Sequence, residues 1–326
     1  MGSLSGERCL VTGGGGFIGS AVAIALVRDG ASVRVLDDFS TGRRTNLAEV
    51  ARDVEVVEGD LRDESAVREA TEGVDVVFHE GAVPSVARSI EDPRASHDVN
   101  VTGTLHVLLA ARDADVRRVV VASSAAVYGN AARPPLHERL ATRPASPYGV
   151  TKVAAERYAE AFTRTWGVPT VSLRYLNVFG PRQDPASGYA SAIPTFISRT
   201  LAGVAPTVFG DGEQARDFLY VDDVVGANFA AATAPSDAVG AAFNIGRGER
   251  RTINDVLAAI RTLVPGEHPP PVRERARPGE IRDSWSDVTA ARDGLGFEAR
   301  VPFDEGLRRT IEWVAARGPA GHGGPV

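Results

Sequence analysis

The chain has 326 residues, 43% hydrophobic and 24% charged, an ordinary composition for a globular protein with a large α/β core and a smaller partner domain. Its net charge of −6 gives no general attraction for nucleic acid or anionic membranes, and the single cysteine, Cys9, excludes internal disulfides and cysteine-cluster metal sites. The start Met1-Gly2-Ser3-Leu4-Ser5-Gly6-Glu7 lacks the basic and apolar regions of a signal peptide, and no apolar run reaches the about 18 residues that would span a bilayer, so a cytoplasmic protein without metal is expected.

In chain order, Cys9-Leu10-Val11 predicts the first strand, with Cys9 a buried strand residue rather than a reactive thiol. Thr12-Gly13-Gly14-Gly15-Gly16-Phe17-Ile18-Gly19 comes directly after it and opens a helix over 18–28. Gly13, Gly16 and Gly19 recur every three residues. Glycines there permit a tight turn, let backbone N–H groups approach a pyrophosphate, and let helix and strand pack closely. The helix N-terminus adds a partial positive charge.

The second strand, Val33-Arg34-Val35-Leu36, ends at Asp37, about 20 residues beyond the glycines, where a carboxylate accepts hydrogen bonds from an adenosine ribose. Asp37 would also repel a 2′-phosphate, favouring NAD over NADP, although the nearby Arg43-Arg44 pair could receive one. After the strand Val54-Glu55-Val56-Val57, Asp60 is placed either to meet the adenine or to cap the helix over 64–72. Further strands are predicted at Val74-Asp75-Val76-Val77-Phe78, Val119-Val120-Val121 and Thr170-Val171-Ser172-Leu173, with a helix over 101–112. Short valine-rich strands alternating with helices are the mark of repeated βαβ units and a sheet covered on both faces. The expected fold is a doubly wound parallel-sheet Rossmann fold of the α/β class.

Beyond Gly180 the pattern changes. Residues 181–188 have loop composition, and the proline-rich stretch 265–271 excludes regular helix. The organisation expected is a dinucleotide-binding domain over 1–179, with returns near 217–246. A smaller C-terminal α/β lid over 180–216 and 247–317 and a disordered tail over 318–326 complete it.

Tyr148-Gly149-Val150-Thr151-Lys152 puts a phenol and an ammonium four residues apart, on one face of a helix. A phenol of pKa about 10 is a poor base at neutral pH. A nearby ammonium and a positive nicotinamide would favour the phenolate. Val121-Ala122-Ser123-Ser124 ends a strand in hydroxyls at the carboxyl edge of the sheet, where open α/β folds bind ligands. Ser124 can there join Tyr148 at a reacting hydroxyl, or cap the next turn.

With these motifs in place, the chain resembles the extended short-chain dehydrogenase/reductases, and within them the UDP-hexose 4-epimerases. The likeness runs from Thr12 to about Trp313. Besides the segments already named it rests on His79-Glu80-Gly81-Ala82-Val83-Pro84-Ser85-Val86, on the stretch from Arg174 to Pro185 that includes Asn177 and Gly180-Pro181-Arg182, on Gly210 to Phe218, and on Arg277-Pro278-Gly279-Glu280. The resemblance implies Tyr148 as base, Lys152 as its partner and Ser124 as the catalytic hydroxyl. It implies NAD held by Gly13, Gly16, Phe17, Ile18, Gly19, Asp37, Asp38, Ser40, Gly42, Asp60, Leu61, Ala82, Val83, Asn100, Tyr148, Lys152 and Tyr175. It implies a UDP-sugar or dTDP-sugar substrate met by Ser85, Ser124, Tyr148, Asn177, Ala192, Thr207, Phe209, Arg216, Arg277, Glu280 and Ser284. Guanidinium forks suit phosphate oxygens.

The two residues after Ser124 bear on the reaction. Related 4,6-dehydratases carry an Asp-Glu pair there, and related uronate decarboxylases a Glu in the second place. This chain has Ala125 and Ala126. That favours epimerisation through a transient 4-keto sugar over dehydratase or decarboxylase chemistry, and Asp37 argues against an NADPH-consuming 4-ketoreductase. Ser284, before Trp285, stands where a bulky tyrosine can narrow the pocket of galactose-type relatives, so room for an N-acetyl group is expected. Glu80-Gly81 departs from the Leu-Ala of many relatives, and Glu80 is expected to point to solvent. The family's homodimer implies pairing through the helices over 101–112 and 148–163.

Overall fold

The structure is a computed structural model describing residues 2–130, 133–184, 191–276 and 281–317. The valine-rich runs form β1 (Arg8–Thr12), β2 (Ser32–Asp37), β3 (Val54–Glu58), β4 (Val76–His79), β5 (Arg118–Ser124) and β6 (Thr170–Tyr175). Between them lie α1 (Phe17–Asp29), α2 (Glu64–Thr71), α3 (Val86–Glu91), α4 (Pro93–His97), α5 (Gly103–Asp113) and α6 (Pro147–Trp166). The rest comprises β7 (Asn177–Phe179), α7 (Ala192–Leu201), β8 (Thr207–Phe209), β9 (Ala215–Arg216), β10 (Phe218–Tyr220), α8 (Val221–Ala232) and β11 (Ala242–Ile245). After these come β12 (Arg251–Thr252), α9 (Ile253–Leu263), β13 (Val272–Glu274), β14 (Asp283–Ser284), α10 (Thr289–Leu295) and α11 (Phe303–Arg317).

Seven of these strands pair in the order β11-β6-β5-β4-β1-β2-β3, every neighbour parallel. This is the expected doubly wound Rossmann architecture. The two-residue period of a strand sorts its side chains between two apolar layers. Cys9 and Val11 enter the core formed with α1 and α8, including Val22, Leu26, Val224 and Ala227. Leu10 between them enters the layer formed with α2, α5 and α6, including Val67, Leu108 and Phe162. Cys9 is 1% exposed, as a strand residue there must be. A third core joins Ile193, Phe196, Phe218, Tyr220, Leu257, Phe303 and Leu307 over the strand ends.

Two boundaries differ from expectation. β4 begins at Val76, because the Asp75 carboxylate is taken by the Arg8 backbone and guanidinium. The helix expected over 101–112 begins as a wide π-turn at Asp98–Thr102 before α5, where the Asn100 side chain is tied to Val83. α6 starts where expected: the Ser146 hydroxyl accepts from Gly149 N–H, Pro147 occupies the first turn, and Gly167 ends the helix at φ +72°, a left-handed cap that suits glycine.

Candidate active site

Two clefts, of about 270 and about 90 Å³, run along the carboxyl edge of the sheet and share Gly13, Asp37, Thr41, Gly81 and Ala82. The larger is lined by Gly16, Phe17, Ile18, Gly19, Gly42, Tyr148, Lys152 and Tyr175; the smaller adds Asp38, Ser40, Asp60, Leu61 and Val83. Of the residues expected to meet the dinucleotide, only Asn100 lies off these walls. It holds them: its Oδ1 accepts from Val83 N–H at 2.7 Å and its Nδ2 donates to Thr151 Oγ1 at 3.0 Å.

The glycine loop leaves no room for side chains. Gly13 has φ +67°, and a Cβ there would lie 2.6 Å from Gly81 Cα; a Cβ on Gly19 would lie 2.2 Å from Gly13 O. The carbonyl of Gly15 is fixed by Arg43 N–H and Asn46 Nδ2, both at 2.8 Å. A bare backbone cradle at a helix N-terminus is what a pyrophosphate needs, so the residues present fit NAD.

At the end of β2, Asp37 accepts from Gly15 N–H at 2.8 Å and Phe39 N–H at 2.7 Å. Burial pushes its carboxyl up and these donors oppose the rise. The basic pair nearby is engaged elsewhere: Arg43 pairs with Asp184 at 2.7 Å, while Arg44 pairs with Glu58 and lies 4.2 Å above the Phe39 ring. Asp60 does not cap α2, since Asp63 does so. The Arg62 guanidinium holds the Asp60 carboxyl below the usual range.

At the other end β5 and β6 run side by side, pairing Ser124 with Tyr175. Ser124 Oγ accepts from Ala126 N–H at 3.2 Å, and its hydroxyl is near enough to the Tyr148 phenol to favour the phenolate. The turn-capping and catalytic placements of Ser124 are thus compatible. Burial pushes Tyr148 up to about 12, opposed by Ser124. Burial pushes Lys152 down to about 8. Lys152 Nζ donates to Ala122 O at 2.8 Å and sits 6.0 Å from the centroid of the Tyr148 ring. Desolvation thus outweighs the expected help from the ammonium, and the phenol keeps its proton unless a cation fills the cleft.

Glu80 corrects an expectation. It does not point to solvent: Oε1 accepts from the Tyr175 hydroxyl at 2.7 Å, and Asn228 Nδ2 donates to the same hydroxyl at 2.8 Å. Burial pushes Glu80 up to about 7, opposed by the Tyr175 hydrogen bond and the Lys152 charge. Beneath it, His79 is pushed down to about 3 by burial and bridges Thr12 and Thr104 as a neutral ring. Behind β5, Ser123 Oγ donates to Glu156 Oε1 at 2.5 Å, and Arg174 binds both oxygens of that carboxylate, at 2.8 and 2.7 Å.

The residues expected to meet the substrate are more dispersed. Ser85 caps α3, Asn177 lies on β7, Ala192 opens α7, and Thr207 and Phe209 lie on β8. Arg216 pairs with Ser284 between β9 and β14. None of these lines either cleft. Arg277 and Glu280 lie outside the described residues, as does the tail over 318–326. Arg182, at φ +71°, does line the larger cleft. Sequence reasoning missed the inward Glu80, Asn46 and Asn228. Only the departure at Glu80-Gly81 was visible as a signal.

A model of the NAD-dependent epimerase/dehydratase family matches residues 9–246. UDP-glucose 4-epimerase of Mycolicibacterium smegmatis is 40% identical over 94% of this chain and 98% of its own length. The solved UDP-N-acetylglucosamine 4-epimerase from Methanobrevibacter ruminantium, in complex with UDP-N-acetylmuramic acid, superposes with a TM-score of 0.92 at 34% identity. It covers 96% of this chain and 100% of that one. UDP-glucose 4-epimerase from Thermotoga maritima, with UDP-glucose, gives 0.88 at 36% identity, covering 94% and 98%. With its glycine cradle, acidic second strand and Ser-Tyr-Lys cluster, this chain belongs to the NAD-dependent epimerase/dehydratase family.

Proposed function

We propose that the protein is an NAD-dependent 4-epimerase of a nucleoside-diphosphate hexose, acting on UDP-glucose and UDP-galactose and accepting their N-acetylated counterparts. The observation that carries this reading is the Ser124–Tyr148–Lys152 cluster, with Ala125 and Ala126 standing where an eliminating enzyme needs a carboxyl group. Bound in the cleft, NAD supplies a reversible hydride acceptor. Tyr148 takes the C4 hydroxyl proton and later returns it, while Ser124 holds that hydroxyl and the phenol in one line. Lys152 carries positive charge into the site, and a cationic nicotinamide bound there would lower the Tyr148 pKa from its buried value. The keto sugar turns before the second half of the cycle, so the product differs only in configuration at C4.

In the two-part division proposed, residues 1–179 with 217–246 hold the dinucleotide, and 180–216 with 247–317 hold the sugar nucleotide. Asn177, Arg216 and Arg277 take the diphosphate, Glu280 the ribose, and Ser284 leaves room beside C2. Exposed Val150, Tyr158 and Trp166 on α6 support pairing with a second copy through α5 and α6, and sedimentation as a single chain would count against that.

Incubation with UDP-glucose, UDP-N-acetylglucosamine and UDP-glucuronate, with mass and proton spectra of the products, separates the readings. Epimers of unchanged mass from the first two are expected. Loss of water or carbon dioxide would assign a dehydratase or decarboxylase instead. Asp37 supports NAD over NADP, because a 2′-phosphate would meet a carboxylate while Arg43 and Arg44 are held elsewhere. Asp37→Asn is expected to narrow the preference for NADH over NADPH by about tenfold in fluorescence titrations, as removal of a like-charge clash should.

A further inference from the structure

Glu80 is a carboxyl group that the proposed chemistry does not use. It comes directly after β4 (Val76–His79), yet its side chain crosses the end of β5 (Arg118–Ser124) to reach Tyr175, the last residue of β6 (Thr170–Tyr175). Tyr175 is held from its other side by Asn228 of α8 (Val221–Ala232), so three elements meet at one phenol. Glu80, Tyr175, Tyr148 and Lys152 line the same cleft, at the end where the proposed chemistry puts the reacting carbon.

The groups facing Glu80 are few. Lys152 and Tyr148 come from α6 (Pro147–Trp166), Tyr175 from β6, and the neighbouring His79 is neutral. Lys152 is the one cation among them, and it is already committed to Ala122 O. A carboxylate in that setting is burdened by desolvation and gains most when a further positive charge enters the cleft. The oxidised nicotinamide is such a charge, and it vanishes on reduction.

We propose that Glu80 is a positioning residue that biases the bound cofactor toward its oxidised form, by anchoring Tyr175 and setting a negative charge on the cofactor side of the cleft. The proposal rests on the reading that NAD occupies this cleft. When the nicotinamide accepts a hydride, that is two electrons and one proton, the ring loses its charge and Glu80 loses its partner. Glu80 then takes a proton from solvent near neutral pH, so reduction of the bound cofactor consumes one proton more than reduction of free NAD.

The test is a mediated redox titration of the holoenzyme against a dye couple of known potential, read by absorbance and fluorescence of the reduced nicotinamide. Glu80→Gln keeps an acceptor for the Tyr175 hydroxyl and removes the charge. At pH above neutrality the ratio of reduced to oxidised bound cofactor is expected to rise about tenfold at a fixed dye ratio, the scale of one charge removed from a partly buried site. The pH dependence of the potential should become shallower, and Glu80→Asp should restore part of both effects. Loss of bound cofactor in the wild type would instead sink the NAD reading itself. An unchanged ratio and pH slope in Glu80→Gln, with disturbance only in Glu80→Leu, would overturn the proposal and leave Glu80 a fastener of Tyr175.

Discussion

Tyr148→Phe is expected to lower turnover by about 10²–10⁴-fold, the range for loss of a positioned proton-transfer group, while NAD stays bound. The substitution removes one oxygen from a buried ring (9% exposed) and leaves the packing of α6 intact. It takes away the group that faces the cleft beside Lys152 and that Ser124 disposes toward ionisation. Of the contacts proposed to the cofactor, those of the glycine cradle, Asp37 and the loop held by Asn100 do not depend on the phenol oxygen. Single-turnover kinetics together with the dinucleotide content of the purified variant checks both halves. Full activity in the variant would remove Tyr148 from the chemistry.

Glu156→Ala is expected to cost about 3–5 kcal/mol of stability, the range for stranding one partner of a buried ion pair. The Arg174 and Glu156 side chains are 6% and 5% exposed, and the carboxylate also accepts from Ser123. Arg174 further donates to Tyr128, whose hydroxyl bonds Asn244. One deletion therefore leaves a guanidinium, a hydroxyl and a chain of polar groups short of partners in a dry interior. Urea unfolding should show a lower midpoint with an unchanged slope. A loss below about 1 kcal/mol would mean that water reaches the pair, as at an exposed bridge.

The first half of the fold was legible because its signals are local. Val-rich runs of one strand's length, the glycines at 13, 16 and 19, and Asp37 at a strand end each act within a few residues. The Tyr148–Lys152 pairing comes from helix geometry alone. What stayed hidden depends on contacts between distant parts of the chain. Glu80 and Tyr175 are 95 residues apart, and a glutamate just past a strand reads as solvated until the fold brings a phenol over it. Arg43 and Arg44 leave a 2′-phosphate possible in the sequence, but Asp184 and Glu58 pair with them in the fold. Asp60 reads as a possible cap of the helix over 64–72, but Asp63, directly before that helix, caps α2. The region beyond β7 is the least local: Arg216 meets Ser284 through a two-residue strand pair, too short to leave a periodic pattern. Its residues could be singled out only through family resemblance.

The reaction cycle requires that the hydrogen leaving C4 of the sugar return to that same carbon. The direct test is incubation with a UDP-hexose deuterated at C4, with mass and proton spectra taken of both epimers. Full retention of deuterium at C4 in a product of unchanged mass is the predicted result. Exchange of the label with solvent, or a product lighter by water or carbon dioxide, would contradict it.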